Sequence, residues 1–124
     1  MKKKKQINNF SIAYKLKNDK NQKLWRKQRK KRGFDDTELW NLHCTFYEFM
    51  IPRLEAFKNI SMSYPSYETS ESYDEKLNFI IDSFKLRYAL YEKSSVSFED
   101  EKIINENAKK AAVLLGELWF DLWS

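Results

Sequence analysis

Three runs of apolar residues at helical spacing set the limits on what this chain can become. Leu39, Leu42, Phe46, Phe49/Met50, Arg53/Leu54 and Phe57 trace the first stripe, broadened by Trp40, Tyr47 and Ile51. Tyr73, Leu77, Ile80, Phe84, Arg87/Tyr88 and Tyr91 trace the second, and Ile104, Ala108, Ala111, Leu115, Leu118/Trp119 and Leu122 the third. Residues three and four apart share one face of a helix, so each run predicts an amphipathic helix with one face to bury. Two Gly and two Pro in 124 residues leave too little turn material for a many-stranded sandwich or barrel. The expectation is an all-α domain of three to four antiparallel helices with one hydrophobic core.

Start and stop signals agree with the stripes. Asp35 and Glu38 have capping-box spacing ahead of the first run. Ser70 or Ser72 opens the second. Ser97 can cap the third, whose first turn holds Glu99, Asp100 and Glu101 at the positive end of the helix dipole. Pro52 lies inside the first run, where it removes the hydrogen bond to Glu48 and should kink the helix or split it. Asn59 to Ser70 reads as a polar loop around Pro65.

Charge is divided unequally at Gly33. Residues 1–33 hold 14 Lys or Arg against Asp19 alone, a net of +13, while residues 34–124 hold 9 basic against 17 acidic, a net of −8. The reading is a basic arm over 1–32 and a helical domain over 33–124. Met1 to Asn9 is expected to be disordered in isolation. Phe10, Ile12, Tyr14 and Leu16 alternate with Ser11, Ala13 and Lys15, which suits a short strand, and Ile7, Phe10 and Tyr14 equally suit a helix. Residues 21–32 read as a short basic helix ended by Gly33.

Little here supports catalysis. His43 and Cys44 are single and adjacent, and neighbours in a helix do not face each other, so they make a poor nucleophile pair. One His and one Cys cannot assemble the usual four-ligand zinc site within the chain. There is no GxxxxGK[ST], GxGxxG or HExxH. A binding protein without catalytic residues, metal or cofactor is expected. No uncharged apolar run approaches the length of a membrane span and no secretion signal is visible, so the expected location is the cytoplasm.

Two kinds of ligand fit the residues. Trp25 among Arg26, Lys27, Arg29 and Lys30 could hold nucleic acid, the cations on phosphates and the indole on a base. The same arm could instead fold against the chain's own acidic body or remain a solvated tail. The aromatic content, nine Phe, seven Tyr and four Trp, exceeds what a minimal helical core requires. It points to a homo-oligomer interface or to a pocket, with Tyr64, Tyr67 and Tyr73 grouped around a polar loop.

From Lys31 onward the chain resembles a widespread family of small bacteriophage proteins. The likeness rests on Lys31-Arg32-Gly33-Phe34-Asp35-Asp36, Trp40-Asn41-Leu42, Pro52-Arg53-Leu54, Tyr64-Pro65, and the closing Leu118-Trp119 and Leu122-Trp123. It covers residues 31–124, and the first 30 look specific to this chain. An acidic residue usually stands in that family where this chain has His43, so a role for that acid does not carry over. The resemblance implies a phage origin, a short helical domain and a setting in the infected bacterial cell. Phages commonly use small proteins against host defence. The sharpest expectation is a sponge that sequesters a cyclic-dinucleotide-type immune signal, with Lys31, Arg32, Trp40, Tyr47, Arg53, Tyr64 and Arg87 as candidate ligand-binding residues. The alternatives are a nucleic-acid-binding accessory protein that uses residues 2–32, and a protein-binding inhibitor of a host defence system.

Overall fold

The structure is a computed structural model that describes residues 10–61, 64–92 and 95–123. The expected disorder of Met1 to Asn9 lies outside the described residues. Among the described residues the fold is all-α, with four helices: α1 (Gln22–Arg32), α2 (Leu42–Ile60), α3 (Ser70–Ala89) and α4 (Phe98–Glu117). Three single 3-10 turns accompany them, Ala13–Lys15, Asp36–Leu39 and Trp119–Asp121. The chain forms two compact units, Met1–Phe49 and Met50–Ser124, and the division falls within α2.

The first unit is organised by one carboxylate. Asp35 is fully buried. Its side chain accepts hydrogen bonds from Ser11 Oγ at 2.5 Å, the Arg29 guanidinium at 2.5 Å, Thr37 Oγ1 at 2.5 Å and the Thr37 amide at 2.9 Å. The Asp35 amide donates to Glu38 at 3.0 Å, completing the capping box anticipated from their spacing. That box caps a 3-10 turn rather than the first turn of a long helix, since α2 begins only at Leu42. Thr37 Oγ1 in turn accepts from the Ile12 amide at 3.1 Å. The segment that alternates in sequence is therefore no strand. Its Ser11 hydroxyl and Ile12 amide bond inward to the Asp35 turn, and Ala13–Lys15 closes as a 3-10 turn with Lys15 and Leu16 amides on the Ile12 and Ala13 carbonyls.

α1 ends where its sequence says. Gly33 takes a left-handed conformation at φ +88, and its amide bonds to the Arg29 carbonyl. A side chain there would be strained by that backbone alone, which is why the helix stop falls on glycine. Trp25 faces inward, 2% exposed, with the Trp40 ring edge-on to it at 5.7 Å.

The second unit is built on α3 and α4, which pack together. The first turn of α3 lies beside the end of α4, where Tyr73 donates to the Asp121 carbonyl at 2.7 Å, so the two run antiparallel. Tyr73, Leu77, Ile80, Ile81 and Phe84 from α3 are buried with Ala108, Ala111 and Leu115 from α4. The alanines let the backbones approach opposite the larger α3 side chains. Leu54, from the part of α2 in this unit, and Leu118 complete the apolar interior. Thr69 and Ser72 form a reciprocal cap for α3, and Ser97 Oγ accepts the Asp100 amide at 3.0 Å to cap α4.

Of the kink or split left open at Pro52, the split does not occur, because α2 runs through the proline as one helix. The first stripe is also not a buried face: Leu39, Leu42, Phe46 and Phe49 are 45%, 59%, 37% and 43% exposed, and only Tyr47 and Leu54 are buried. Periodicity reports which side chains share a face, and it does not say whether another element covers that face.

Asp35→Ala should destabilise the first unit by about 3 kcal/mol in denaturant titration, because it leaves the mostly buried Arg29 guanidinium without its counter-charge. Burial alone pushes the Asp35 carboxyl up, but hydrogen bonds from Ser11, Thr37 and Arg29 outweigh it and hold the group below the usual carboxylate range. A carboxyl depressed in the folded state contributes stability above its unfolded pKa, near 4, and loses it as pH falls through the lower folded value. Acid titration should therefore loosen the wild-type first unit, with a shallower pH dependence in Asp35→Asn.

Candidate functional site

α1 has two faces of opposite employment. Trp25, Gln28, Arg29 and Arg32 recur at three- and four-residue steps and face the rest of the first unit. Gln28 bonds Asp36 twice, its amide nitrogen to the carboxylate at 3.0 Å and its oxygen from the Asp36 amide at 2.9 Å. Arg29 is held by Asp35. Arg32 donates to Asp36 at 2.8 Å and to the Phe34 carbonyl at 3.0 Å, and its guanidinium lies 4.3 Å from the Phe34 ring centre. Hydrogen bonds from Gln28 and Arg32 hold the Asp36 carboxyl below its ordinary range.

The other face is Lys23, Arg26, Lys27, Lys30 and Lys31, again at three- and four-residue steps. All five are exposed. Among the described residues none of them forms a salt bridge. Two acidic residues of the same unit thus engage the inward Arg29 and the exposed Arg32 and leave the outward stripe unneutralised. The stripe spans roughly 12 Å at the rise of an α-helix.

Ahead of α1 lies a surface hollow of about 530 Å³ lined by Ala13, Tyr14, Lys17, Gln22 and Arg26. Gln22 spends both amide hydrogens on the Ala13 and Leu16 carbonyls, at 2.7 and 2.6 Å, tying the 3-10 turn to the start of α1. Tyr14 projects from that turn at 48% exposure.

The sequence-nominated residues fall into several roles. Arg26, Lys27, Lys30 and Lys31 sit on the exposed stripe. Trp25 is out of reach of a base because it is buried, and Arg29 is committed to Asp35. Arg32 is committed to Asp36, Tyr47 is buried with the His43 ring edge-on at 6.1 Å, and Trp40 is 54% exposed against Trp25. In the second unit Arg53 is exposed on α2, and Arg87 lies 5.1 Å from the Tyr91 ring centre. Tyr64 opens on a cavity of about 210 Å³ with Lys58, Ser61, Ser70 and Tyr73, which neither Arg53 nor Arg87 lines. Tyr73 donates to the Asp121 carbonyl at 2.7 Å, and Tyr67 donates to the Asp121 carboxylate, which pushes the Tyr67 hydroxyl up to about 12. Lys85 pairs with Glu55.

Sequence reasoning missed Tyr14, Lys17 and Gln22. Tyr14 was legible only as part of an alternating run, and Gln22 carries no motif. Their grouping depends on a turn whose formation is fixed by residues more than 20 positions away.

No helix among the described residues is long and apolar enough to cross a membrane. No group of three His, Cys, Asp or Glu side chains among them is placed to hold a metal ion. No family model, curated protein or solved structure matches this chain.

Trp40→Ala should cost about 1 kcal/mol, the worth of an aromatic pair, rather than the 3–5 kcal/mol of a fully buried tryptophan. Chemical denaturation monitored by circular dichroism measures the difference.

Proposed function

We propose that this protein is a non-enzymatic nucleic-acid-binding protein that holds phosphate backbone through the outward face of α1. The observation that carries the reading is the separation of the two faces of that helix. The inward Arg29 and the exposed Arg32 have acidic partners, while Lys23, Arg26, Lys27, Lys30 and Lys31 have none among the described residues. A cationic stripe that the fold leaves unneutralised gains free energy by releasing counterions from a polyphosphate. The first unit as a whole carries 14 Lys or Arg against 5 Asp or Glu, so its field attracts polyanions. The second unit has the opposite balance, 9 against 13. A phage accessory role in the infected cell, as the sequence resemblance implies, is part of the same proposal.

The nucleotide sponge is the second reading. Its support is the cavity beside Tyr64, where Lys58, Ser61 and Ser70 offer a cation and hydroxyls, though the Asp74 carboxylate on the same wall opposes an anion. About 210 Å³ suits a phosphate group better than a whole cyclic dinucleotide, since sites for drug-sized ligands commonly run to 300–1,000 Å³. A homo-oligomer would enlarge the choice of sites. The exposed Trp119, Phe120 and Trp123 near the end of the chain are the kind of surface that oligomers bury.

Binding of fluorescent oligonucleotides across a salt series tests the first reading. Five phosphate contacts predict a slope of log K against log salt near −3.5 on single strands. The combined Lys23→Ala, Lys27→Ala and Lys30→Ala protein should reduce that slope by about 2 while keeping its melting temperature. Unchanged affinity and slope would overturn the proposal. A salt-tolerant melting shift with a cyclic dinucleotide, equal in both proteins, would put the sponge in its place; at 100 times the dissociation constant the ligand adds about 2.7 kcal/mol.

A further inference from the structure

The α1 stripe explains affinity for phosphate but not which form of nucleic acid it meets. The hollow at the start of the helix bears on that choice. Its wall combines a half-exposed aromatic ring, Tyr14, with two cations, Lys17 and Arg26, and one amide, Gln22. Arg26 also belongs to the stripe, so the hollow and the stripe are continuous. We infer that this hollow takes one unstacked base of a single-stranded nucleic acid, with its flanking phosphates on Lys17 and Arg26. The inference rests on the nucleic-acid reading above and names the form of the ligand.

Three features of the site favour a base over a bare phosphate. Tyr14 presents a flat π surface to solvent, held by a turn that is itself pinned. The Ser11 hydroxyl bonds the buried Asp35, and the Ile12 amide bonds Thr37. The Lys15 ammonium lies 5.8 Å from the Tyr14 ring centre and can cover only one of the two faces. Every base has a π face, so stacking on such a ring accepts any sequence, but only where the base is free of its duplex.

Gln22 supplies the third feature. Both of its amide hydrogens point to main-chain carbonyls, which can only accept, so the orientation of the amide is determined. Its oxygen is left as an acceptor with no partner among the described residues. An acceptor at the edge of a base site can take a donor from the exposed Watson–Crick edge of an unpaired base, the amino group of cytosine or adenine or the imino N–H of thymine or uracil. A duplex could reach the stripe, but its stacked bases would leave both the ring and the amide oxygen unused.

The test uses the full chain with fluorescent oligo-deoxycytidine and oligo-deoxythymidine of about 12 nucleotides, inside the span that single-strand-binding folds cover, and a duplex of equal length. Wild type, Tyr14→Leu, Tyr14→Phe and the triple lysine variant are compared at one salt concentration. Expected is a roughly tenfold loss for Tyr14→Leu on the single strands, retention by Tyr14→Phe, and no change on the duplex. If Tyr14→Leu matches wild type on single strands while the lysine variant is weakened, the base site is wrong and phosphate binding stands. If neither strand nor duplex binds any of the four proteins, both ideas fall together.

Discussion

The buried Asp35 carboxylate is the interaction on which the first unit depends. Four donors converge on it from three places in the chain: Ser11, Arg29, and both the hydroxyl and amide of Thr37. A charge taken out of water is costly unless paired and hydrogen-bonded, and here the pairing comes from a guanidinium also withdrawn from solvent. The arrangement is therefore all-or-none in character: each donor is worth little without the carboxylate, and the carboxylate cannot stay buried without its donors. It fixes the segment around Ser11, the inward face of α1 and the turn before α2 in a single step.

That same hub determines which charges are left over. Arg29 is drawn inward by Asp35, and Arg32 by Asp36, with Gln28 completing the seam. The helix is rotated by these contacts so that Lys23, Arg26, Lys27, Lys30 and Lys31 stand outward. Burial of Trp25 works in the same sense, since an indole under one face forbids that face to solvent. Stability and polyanion affinity are in this way served by alternate residues of one short helix. The motif Lys31-Arg32-Gly33-Phe34-Asp35-Asp36, which stands out in the sequence, has a structural account: a left-handed glycine stop, a guanidinium over an aromatic ring, and the two acids that orient α1.

The second unit follows a plainer logic. α3 and α4 bury complementary faces, large side chains against alanines, and side-chain caps mark both starts. The Tyr67 and Tyr73 hydroxyls are tied to Asp121, so two of the tyrosines that looked unexplained around the loop act as struts for the last turn. Tyr64 alone of the three faces a cavity without a strut of that kind.

Local signals in the sequence determined a good deal. Helical periodicity gave α3 and α4 with their buried faces, Gly33 gave the end of α1, and Ser97 gave the start of α4, because each depends on residues within one or two turns. Tertiary structure decided what periodicity cannot reach. Whether Leu42 and Phe46 are covered depends on neighbours outside their own helix, and they are not. Whether Trp25 stacks on a ligand or on Trp40 depends on a partner 15 positions away. The alternating segment became a turn because its Ser11 hydroxyl and Ile12 amide found Asp35 and Thr37, more than 20 residues on, and an isolated alternation carries no record of them. The candidate site divides in the same way. Its cations were countable from the sequence, while their sorting into paired and unpaired faces, and the placing of Tyr14 beside Gln22, followed from one buried carboxylate that had to be satisfied.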